Sequence, residues 1–146
     1  MKRIQFLIIL LLCLTTGLFA QNWLTDFDEA KTKATNEHKN ILLVFSGTDW
    51  YAPCIKLENS IWQSEEFKTF SKDHFVLLKA DFPKLKKNQL SQSQQEHNNM
   101  LAAKYNVNGY FPHVVILNNQ GSVIGNTGYR NVSPREYIEL LLSLEK

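Results

Sequence analysis

The chain has 146 residues, and its 16 basic and 14 acidic side chains leave a formal net charge of +2. A balance this close to neutral excludes a general electrostatic attraction to nucleic acid or to an anionic membrane surface. The length is sufficient for one domain with a hydrophobic core, and the sequence contains no internal repeat or low-complexity tract.

The first twenty residues have the pattern of a secretory signal peptide. A lysine and an arginine follow the initial methionine, an apolar run covers residues 6–14, and small residues lead to Ala20. The apolar run is shorter than the ~20 residues that span a bilayer. We therefore predict cleavage after Ala20 and export to the periplasm or the extracellular space. Residues 21–146, the predicted exported domain, have 14 basic and 14 acidic side chains and thus a formal net charge of zero.

Cys13 lies inside the predicted signal peptide. Lipid attachment at Cys13 is the alternative, but Leu12 stands where lipoprotein processing requires a small residue. Cleavage after Ala20 would leave Cys54 as the lone cysteine of the exported domain. An unpaired cysteine in an oxidising compartment indicates intermolecular pairing, a reactive thiol or a buried residue without a chemical role.

In chain order, apolar periodicity and capping residues predict alternating helices and strands. The first helix has one apolar face, formed by Phe27, Ala30 and Ala34, whereas the strands are continuous apolar runs. The predicted elements are helix 25–37, strand 41–45, helix 54–59, a helix from Ser64, strand 75–80, a helix ending near Tyr105, strand 114–117, strand 122–125 and a helix from Ser133 to Leu144. This order predicts an α/β fold in which a central mixed β-sheet has helices on both faces.

The segment Trp50–Tyr51–Ala52–Pro53–Cys54 lies between the first strong strand and the helix after it. A cysteine in the first turn of a helix lies near unpaired backbone N–H groups. These groups favour the thiolate, so we expect a lowered pKa for Cys54. A dithiol motif would have another cysteine three residues before Cys54, at the position that Tyr51 occupies.

Three segments together resemble the thioredoxin-fold family, and in particular its exported thiol–disulfide oxidoreductases and isomerases. They are the strand and motif over 41–57, the segment 105–112 that ends in a proline, and the hairpin over 114–128. In that family, the first cysteine of Trp-Cys-x-Pro-Cys attacks a substrate disulfide, and the second resolves the mixed disulfide. The resemblance implies that Tyr51 replaces the attacking cysteine, that Cys54 corresponds to the resolving cysteine, and that Pro112 follows a cis peptide bond.

The replacement by tyrosine limits the chemistry that the resemblance implies. A phenol has a pKa near ~10 and forms no disulfide, so a two-cysteine redox cycle within this chain is impossible. Family members often place a buried acid on the strand before the motif, and here the equivalent position falls on Val44 or Phe45, both apolar. What remains is at most monothiol exchange through Cys54, which would require an external thiol or a redox partner protein.

A non-catalytic polypeptide-binding module is the alternative. In the family, the groove beside the motif and the cis-proline binds an extended segment as an added strand, and this requires no cysteine. The corresponding residues are Trp50, Tyr51, Phe111, Pro112 and His113. In that case Cys54 would be a buried remnant covered by its neighbours, and Trp50 would mainly pack on the motif helix.

Other polar residues give weaker indications. We expect no cofactor, and Cys54 with His113 supplies too few ligands for a metal. The other histidines (His38, His74 and His97) are expected at the surface. Lys79, Lys84, Lys86 and Lys87 form either a local basic patch or, as the neutral balance favours, an ordinary solvated surface.

Overall fold

The computed structural model describes residues 20–146, so Cys13 and the predicted signal peptide, except Ala20, lie outside the described residues. The described residues form five strands and five α-helices. These are β1 Trp23–Leu24, α1 Phe27–Glu37, β2 Asn40–Ser46, α2 Ala52–Leu57, α3 Glu65–His74, β3 Phe75–Asp81, α4 Gln92–Tyr105, β4 His113–Leu117, β5 Val123–Thr127 and α5 Pro134–Leu144. A π-helical turn, Glu58–Trp62, joins α2 to α3, and a 3-10 turn, Lys86–Asn88, precedes α4.

The strands form one mixed sheet in the order β1-β3-β2-β4-β5. β2 and β1 run parallel to β3, whereas β4 is antiparallel to β2 and β5 is antiparallel to β4. The register pairs Ser46 with Asp81 and Phe45 with His113. The carboxyl ends of the two central parallel strands therefore meet the start of β4 at one edge of the sheet.

The sheet has a hydrophobic core on each face. In β2, Ile41, Leu43 and Phe45 contact α1 and α4, while Leu42 and Val44 contact α2, the π-helical turn, α3 and α5. Fully buried large side chains such as Trp62 and Tyr137 anchor the second face. Burial of each large apolar side chain stabilises the fold by about 1.5–3 kcal/mol. The predicted α/β architecture, with helices on both faces of a mixed sheet, is confirmed.

Several boundaries differ from those predicted. β1 was not predicted, because two residues paired with a single neighbour are too few to give a periodic signal. The motif helix begins at Ala52 rather than at Cys54, with Tyr51 as its N-cap residue. β5 covers Val123–Thr127 rather than 122–125. The capping box of α5 forms as predicted between Ser133 and Glu136.

The surface assignment of the histidines holds only for His38, which is exposed. His97 is half-buried because its Nε2 accepts a hydrogen bond from the backbone N–H of Phe27 at 3.1 Å. His74 is half-buried between the Phe70 ring and the Glu145 carboxylate, whose Oε2 lies 2.6 Å from Nε2. Among residues 20–146, none of the helices combines the length and the apolar character that crossing a membrane requires.

Candidate functional site

The loop between β2 and α2 begins with a close contact between a glycine and a tryptophan. A Cβ atom on Gly47 would lie 2.6 Å from Cε2 of Trp50, so only glycine leaves room for the indole. The indole Nε1–H donates a hydrogen bond to the carbonyl oxygen of Phe82 at 2.8 Å. Trp50 is therefore fixed between the loop and the residue that follows β3.

Cys54 lies on the inner side of α2 and is only 1% exposed. The backbone N–H of Gly47 donates to Sγ at 3.3 Å. Burial raises the pKa of the Cys54 thiol, and the hydrogen bonds from Gly47 and Ser46 lower it by less. The expectation of a lowered pKa is therefore wrong, because desolvation of a buried sulfur outweighs the first turn of a six-residue helix.

An acidic residue that was not predicted lies close to this thiol. Asp81 ends β3, and its Oδ1 accepts hydrogen bonds from the backbone N–H and the hydroxyl of Thr48 at 3.4 and 3.2 Å. Its negative charge is a further cause of the raised pKa of Cys54. Val44 and Phe45 are buried and apolar as expected, but the acid comes from the neighbouring strand. The sequence could have indicated Asp81, because it ends the apolar run of β3 and the carboxyl ends of parallel strands meet at one edge of a sheet.

The loop before β4 approaches the motif from the other side. The peptide bond between Phe111 and Pro112 is cis, as predicted. The loop is held by Asn106, whose amide donates to the carbonyl of Tyr110 at 2.9 Å and accepts from its N–H at 3.0 Å. Gly109 has φ of +67°, a left-handed conformation that a glycine adopts without strain.

The two loops bring together a group of rings that we call the aromatic rim: Trp50, Tyr51, Tyr110, Phe111 and His113. Trp50 contacts Tyr51 and Phe111 with ring centroids 5.4 and 6.1 Å apart. Tyr110 contacts His113 at 6.1 Å. Tyr51 and Tyr110 are the open members, with 39% and 60% of their surfaces exposed. Of the residues predicted to line a groove, Pro112 is buried, while Ala52 is exposed and Pro53 is half-buried in the first turn of α2.

His113 belongs to the rim rather than to the thiol. Its ring stacks on Phe45 with centroids 6.2 Å apart. Burial lowers the pKa of His113, and a hydrogen bond with the backbone of Tyr105 raises it by less. Within residues 20–146, its ring contacts are with Phe45 and Tyr110. In the same range, no three His, Cys, Asp or Glu side chains are grouped so that they could hold a metal ion.

The four lysines considered as one patch lie in two places. Lys79 pairs with Glu58 at 2.8 Å and lies over the Trp23 ring. Lys84 lies instead over the Trp50 ring, with Nζ 3.7 Å from its centroid, and Lys86 and Lys87 are exposed in the adjacent 3-10 turn. Of these four lysines, Lys84 contacts a ring of the aromatic rim, and Lys86 and Lys87 follow it in the same loop.

Comparison with known proteins places this geometry among its relatives. The model of the thioredoxin-like family matches residues 22–119. The chain is 34% identical over 120 residues to the disulfide bond reductase DsbH of Chlamydia pneumoniae, and the match covers 82% of this chain and 70% of that protein. It is similar to the solved structure of a DsbH oxidoreductase, with a TM-score of 0.77, 32% identity and 90% of both chains covered. A disulphide isomerase from Xylella fastidiosa Temecula1 shares the fold, with a TM-score of 0.60, 20% identity, and coverage of 87% of this chain and 100% of that chain.

Proposed function

This chain belongs to the thioredoxin-like family of thiol–disulfide oxidoreductases, and we propose that it binds polypeptide segments at the aromatic rim without a dithiol redox cycle. The observation that carries the proposal is a contrast in exposure. Cys54 is 1% exposed, whereas Tyr51 and Tyr110 are 39% and 60% exposed. A polypeptide that approaches this surface would therefore contact the exposed tyrosine rings and not the buried sulfur of Cys54.

The redox half of the proposal rests on the motif. Tyr51 stands three residues before Cys54, where the resemblance places the attacking cysteine, and Cys54 is the only cysteine in residues 20–146. A mixed disulfide formed at Cys54 would find no second thiol in this domain to resolve it. We propose that Tyr51 has replaced the attacking residue and that intramolecular disulfide cycling has been lost.

The binding half of the proposal rests on the loop that ends at the cis-proline. Asn106 fixes the backbone of Tyr110, and the following Phe111 is braced against Phe82 and Trp50. An extended segment that adds alongside such a fixed loop gains main-chain hydrogen bonds, while exposed aromatic rings supply contact area at small entropic cost. Neither contribution depends on a thiol.

Monothiol exchange through Cys54 is the second candidate. The observation in its favour is the pair of hydrogen bonds from Ser46 and Gly47 to the sulfur, which would stabilise a thiolate. Burial and the Asp81 charge act in the opposite direction, and an attacking thiolate must also be accessible. A partner in this case would be a protein with a reactive cysteine, with an external thiol to release it.

Peptide titration tests the binding proposal. The probe is a short, uncharged, fluorescein-labelled peptide with a central Phe-Val-Tyr, followed by fluorescence anisotropy and by amide NMR shifts of the rim residues. We expect shifts at Tyr110 and His113, and a Kd raised on the order of tenfold in the double variant Tyr51→Ser/Tyr110→Ser, as for aromatic anchors in interfaces. Val123→Ser, which removes an exposed apolar side chain from β5, is the matched control. Shifts confined to other surfaces would overturn the proposal.

Insulin reduction with a thiol donor separates the two candidates. The binding module predicts that the unmodified domain and Cys54→Ala both react at the rate of the donor alone. Activity that is present in the domain and disappears in Cys54→Ala would establish monothiol exchange instead. Cys54→Ser, which keeps a small polar atom at the end of the Gly47 hydrogen bond, controls for loss of folding.

We also propose export, based on the signal-peptide pattern of residues 1–20. Fractionation of the producing cells, with mass spectrometry of the N-terminus, tests it. A mature chain that begins at or near Gln21 outside the cytoplasm is expected. A full-length chain retained in the cytoplasm would contradict it.

A further inference from the structure

We propose that the site selects acidic polypeptide segments through a basic loop, residues 83–90, that borders the aromatic rim and presents Lys84, Lys86 and Lys87. The inference builds on the proposed function and adds the charge of the client. It arises from the sequence of the loop, from the contacts that hold it, and from the partners of the nearby carboxylates.

The local charge of this region differs from that of the whole domain. Residues 21–146 have a formal net charge of zero, yet no acidic residue occurs between Asp81 and Glu96, where three lysines fall. The lysines of the basic loop are therefore a local excess of positive charge and not a sample of a generally basic surface.

Asp49, the residue next to the motif, fixes this loop in place. Its carboxylate accepts hydrogen bonds from the backbone N–H groups of Lys84 and Leu85 at 3.0 and 3.1 Å, and from the side-chain amide of Asn88 at 3.1 Å. The bond from Lys84 is the main reason that the pKa of the Asp49 carboxyl is below its usual range. Asp49 thus offsets one of the three positive charges while holding the loop against the motif.

Lys84 connects the basic loop to the rim directly. Its ammonium group lies over the Trp50 ring, and Trp50 in turn contacts Tyr51 and Phe111. A cation over an indole face is attracted by the ring quadrupole, which keeps this charge beside the rim. Leu85, 45% exposed, adds an apolar contact surface to the same loop.

The remaining nearby carboxylates already have partners. Asp81 accepts two hydrogen bonds from Thr48, Glu58 pairs with Lys79, and Glu96 accepts from the side chain of Gln92. Among residues 20–146, no carboxylate oxygen lies within 4.0 Å of the ammonium groups of Lys84, Lys86 or Lys87. Apart from the charge that Asp49 offsets, the positive charge of the loop can therefore face carboxylates of a client.

The chemistry of the whole surface then specifies its occupant. Exposed rings favour an apolar or aromatic residue in the client, and the basic loop favours Asp or Glu beside it. Charges at the edge of an interface act mainly on association rate and on selectivity, and salt screens them. An extended acidic segment with an embedded aromatic residue fits both parts, whereas a basic segment is repelled.

Three peptides test this inference on the mature domain. All carry the central Phe-Val-Tyr, and their flanks contain glutamate, glutamine or lysine. At ~50 mM salt we expect the acidic peptide to bind on the order of fivefold more tightly than the glutamine peptide, and most of this preference to disappear at ~500 mM salt.

Two charge-matched variants locate the effect. Lys86→Gln/Lys87→Gln should remove most of the acidic preference and leave binding of the glutamine peptide unchanged. Lys33→Gln/Lys68→Gln alters the net charge equally, on α1 and α3, where each lysine already faces a glutamate. The control should therefore retain the preference.

The outcomes distinguish this inference from the function on which it rests. Equal binding of the acidic and glutamine peptides, or equal loss of preference in both double variants, would overturn the charge selectivity and leave rim binding standing. Absence of binding by all three peptides would overturn the proposed function together with its refinement.

Discussion

The Cys54 thiol and Tyr51 of the aromatic rim lie at the same junction between β2 and α2, but they face opposite environments. The thiol points inward, where burial raises its pKa and Gly47 and Ser46 bond to it. Tyr51, three residues earlier, caps the same helix from outside. The difference shows that the exposed surface of this junction is built from residues other than the one that holds the sulfur, so the proposed recognition of a client would not depend on the thiol.

Restoring a cysteine at the exposed position should have the largest effect. In Tyr51→Cys, an accessible thiol at the N-terminus of α2 can attack, and Cys54 can resolve the product at the high effective concentration of an intramolecular step. We expect insulin reduction to rise about a hundredfold or more above the donor background, since effective concentrations of tethered groups reach the millimolar range. Tyr51→Ser, which removes the ring without adding a thiol, should stay at background. A folded but inactive Tyr51→Cys would mean that Cys54 is not placed to resolve.

Burial of Cys54 should appear as protection from alkylation. We expect iodoacetamide to modify Cys54 in the native domain on the order of a hundredfold more slowly than in denaturant, because reaction requires local opening. The raised folded pKa means that the folded state favours the protonated thiol. The contribution of the neutral Cys54 thiol to stability is thus complete below the ordinary thiol pKa of ~8.5. It is lost as the pH rises through the pKa of the folded state. Labelling of the native domain as fast as that of the denatured chain would contradict the buried site.

Gly47 couples the two regions, so Gly47→Ala should disturb both of them. The added Cβ must displace the Trp50 indole and its hydrogen bond to Phe82. Overpacking of this kind costs about 1–3 kcal/mol of unfolding free energy, measurable by urea denaturation. In a Trp50→Ala background the same substitution should cost much less, which a double-mutant cycle would show. An equal cost in both backgrounds would place the strain somewhere other than the indole contact.

The smallest expected effect concerns His113, the rim residue that stacks on Phe45. Because burial lowers its folded pKa, the unfolded chain binds the proton more readily. The stability associated with neutral His113 is complete above the ordinary value of ~6.5 and is lost as pH falls below it. His113→Asn should flatten this part of the profile of melting temperature against pH. His38→Asn, at an exposed residue with φ of 53° that asparagine tolerates, is the matched control for the substitution.

The sequence predicts those parts of the fold that depend on the residue types within one short segment. The runs in β2 and β3 are apolar on both faces, Ser133 and Glu136 form a capping box by their spacing alone, and the motif with Pro112 carries the family resemblance. Each of these signals lies within a few neighbouring residues or in a recognisable segment. For such features a sequence is nearly sufficient.

The features that the sequence did not reveal depend on contacts between residues that are distant in the chain. A helix start suggested an activated thiolate at Cys54, but the depth of the sulfur below the surface reversed the direction of its pKa. The resemblance directs attention to β2 for an acid near the thiol, whereas the acid of the structure, Asp81, lies at the end of β3. The half-buried state of His97 follows from a bond to Phe27, 70 positions away. Desolvation and cross-strand charge are properties of the packed molecule.

The burial of the Cys54 side chain has a consequence for the lifetime of the molecule. A domain with one unpartnered sulfhydryl, as in residues 20–146, is vulnerable in an oxidising medium to covalent dimer formation and to overoxidation of the sulfur. Enclosure slows both, so the domain can persist as a discrete molecule without a dedicated reductase to repair it. Damage would then be confined to chains that have already begun to unfold.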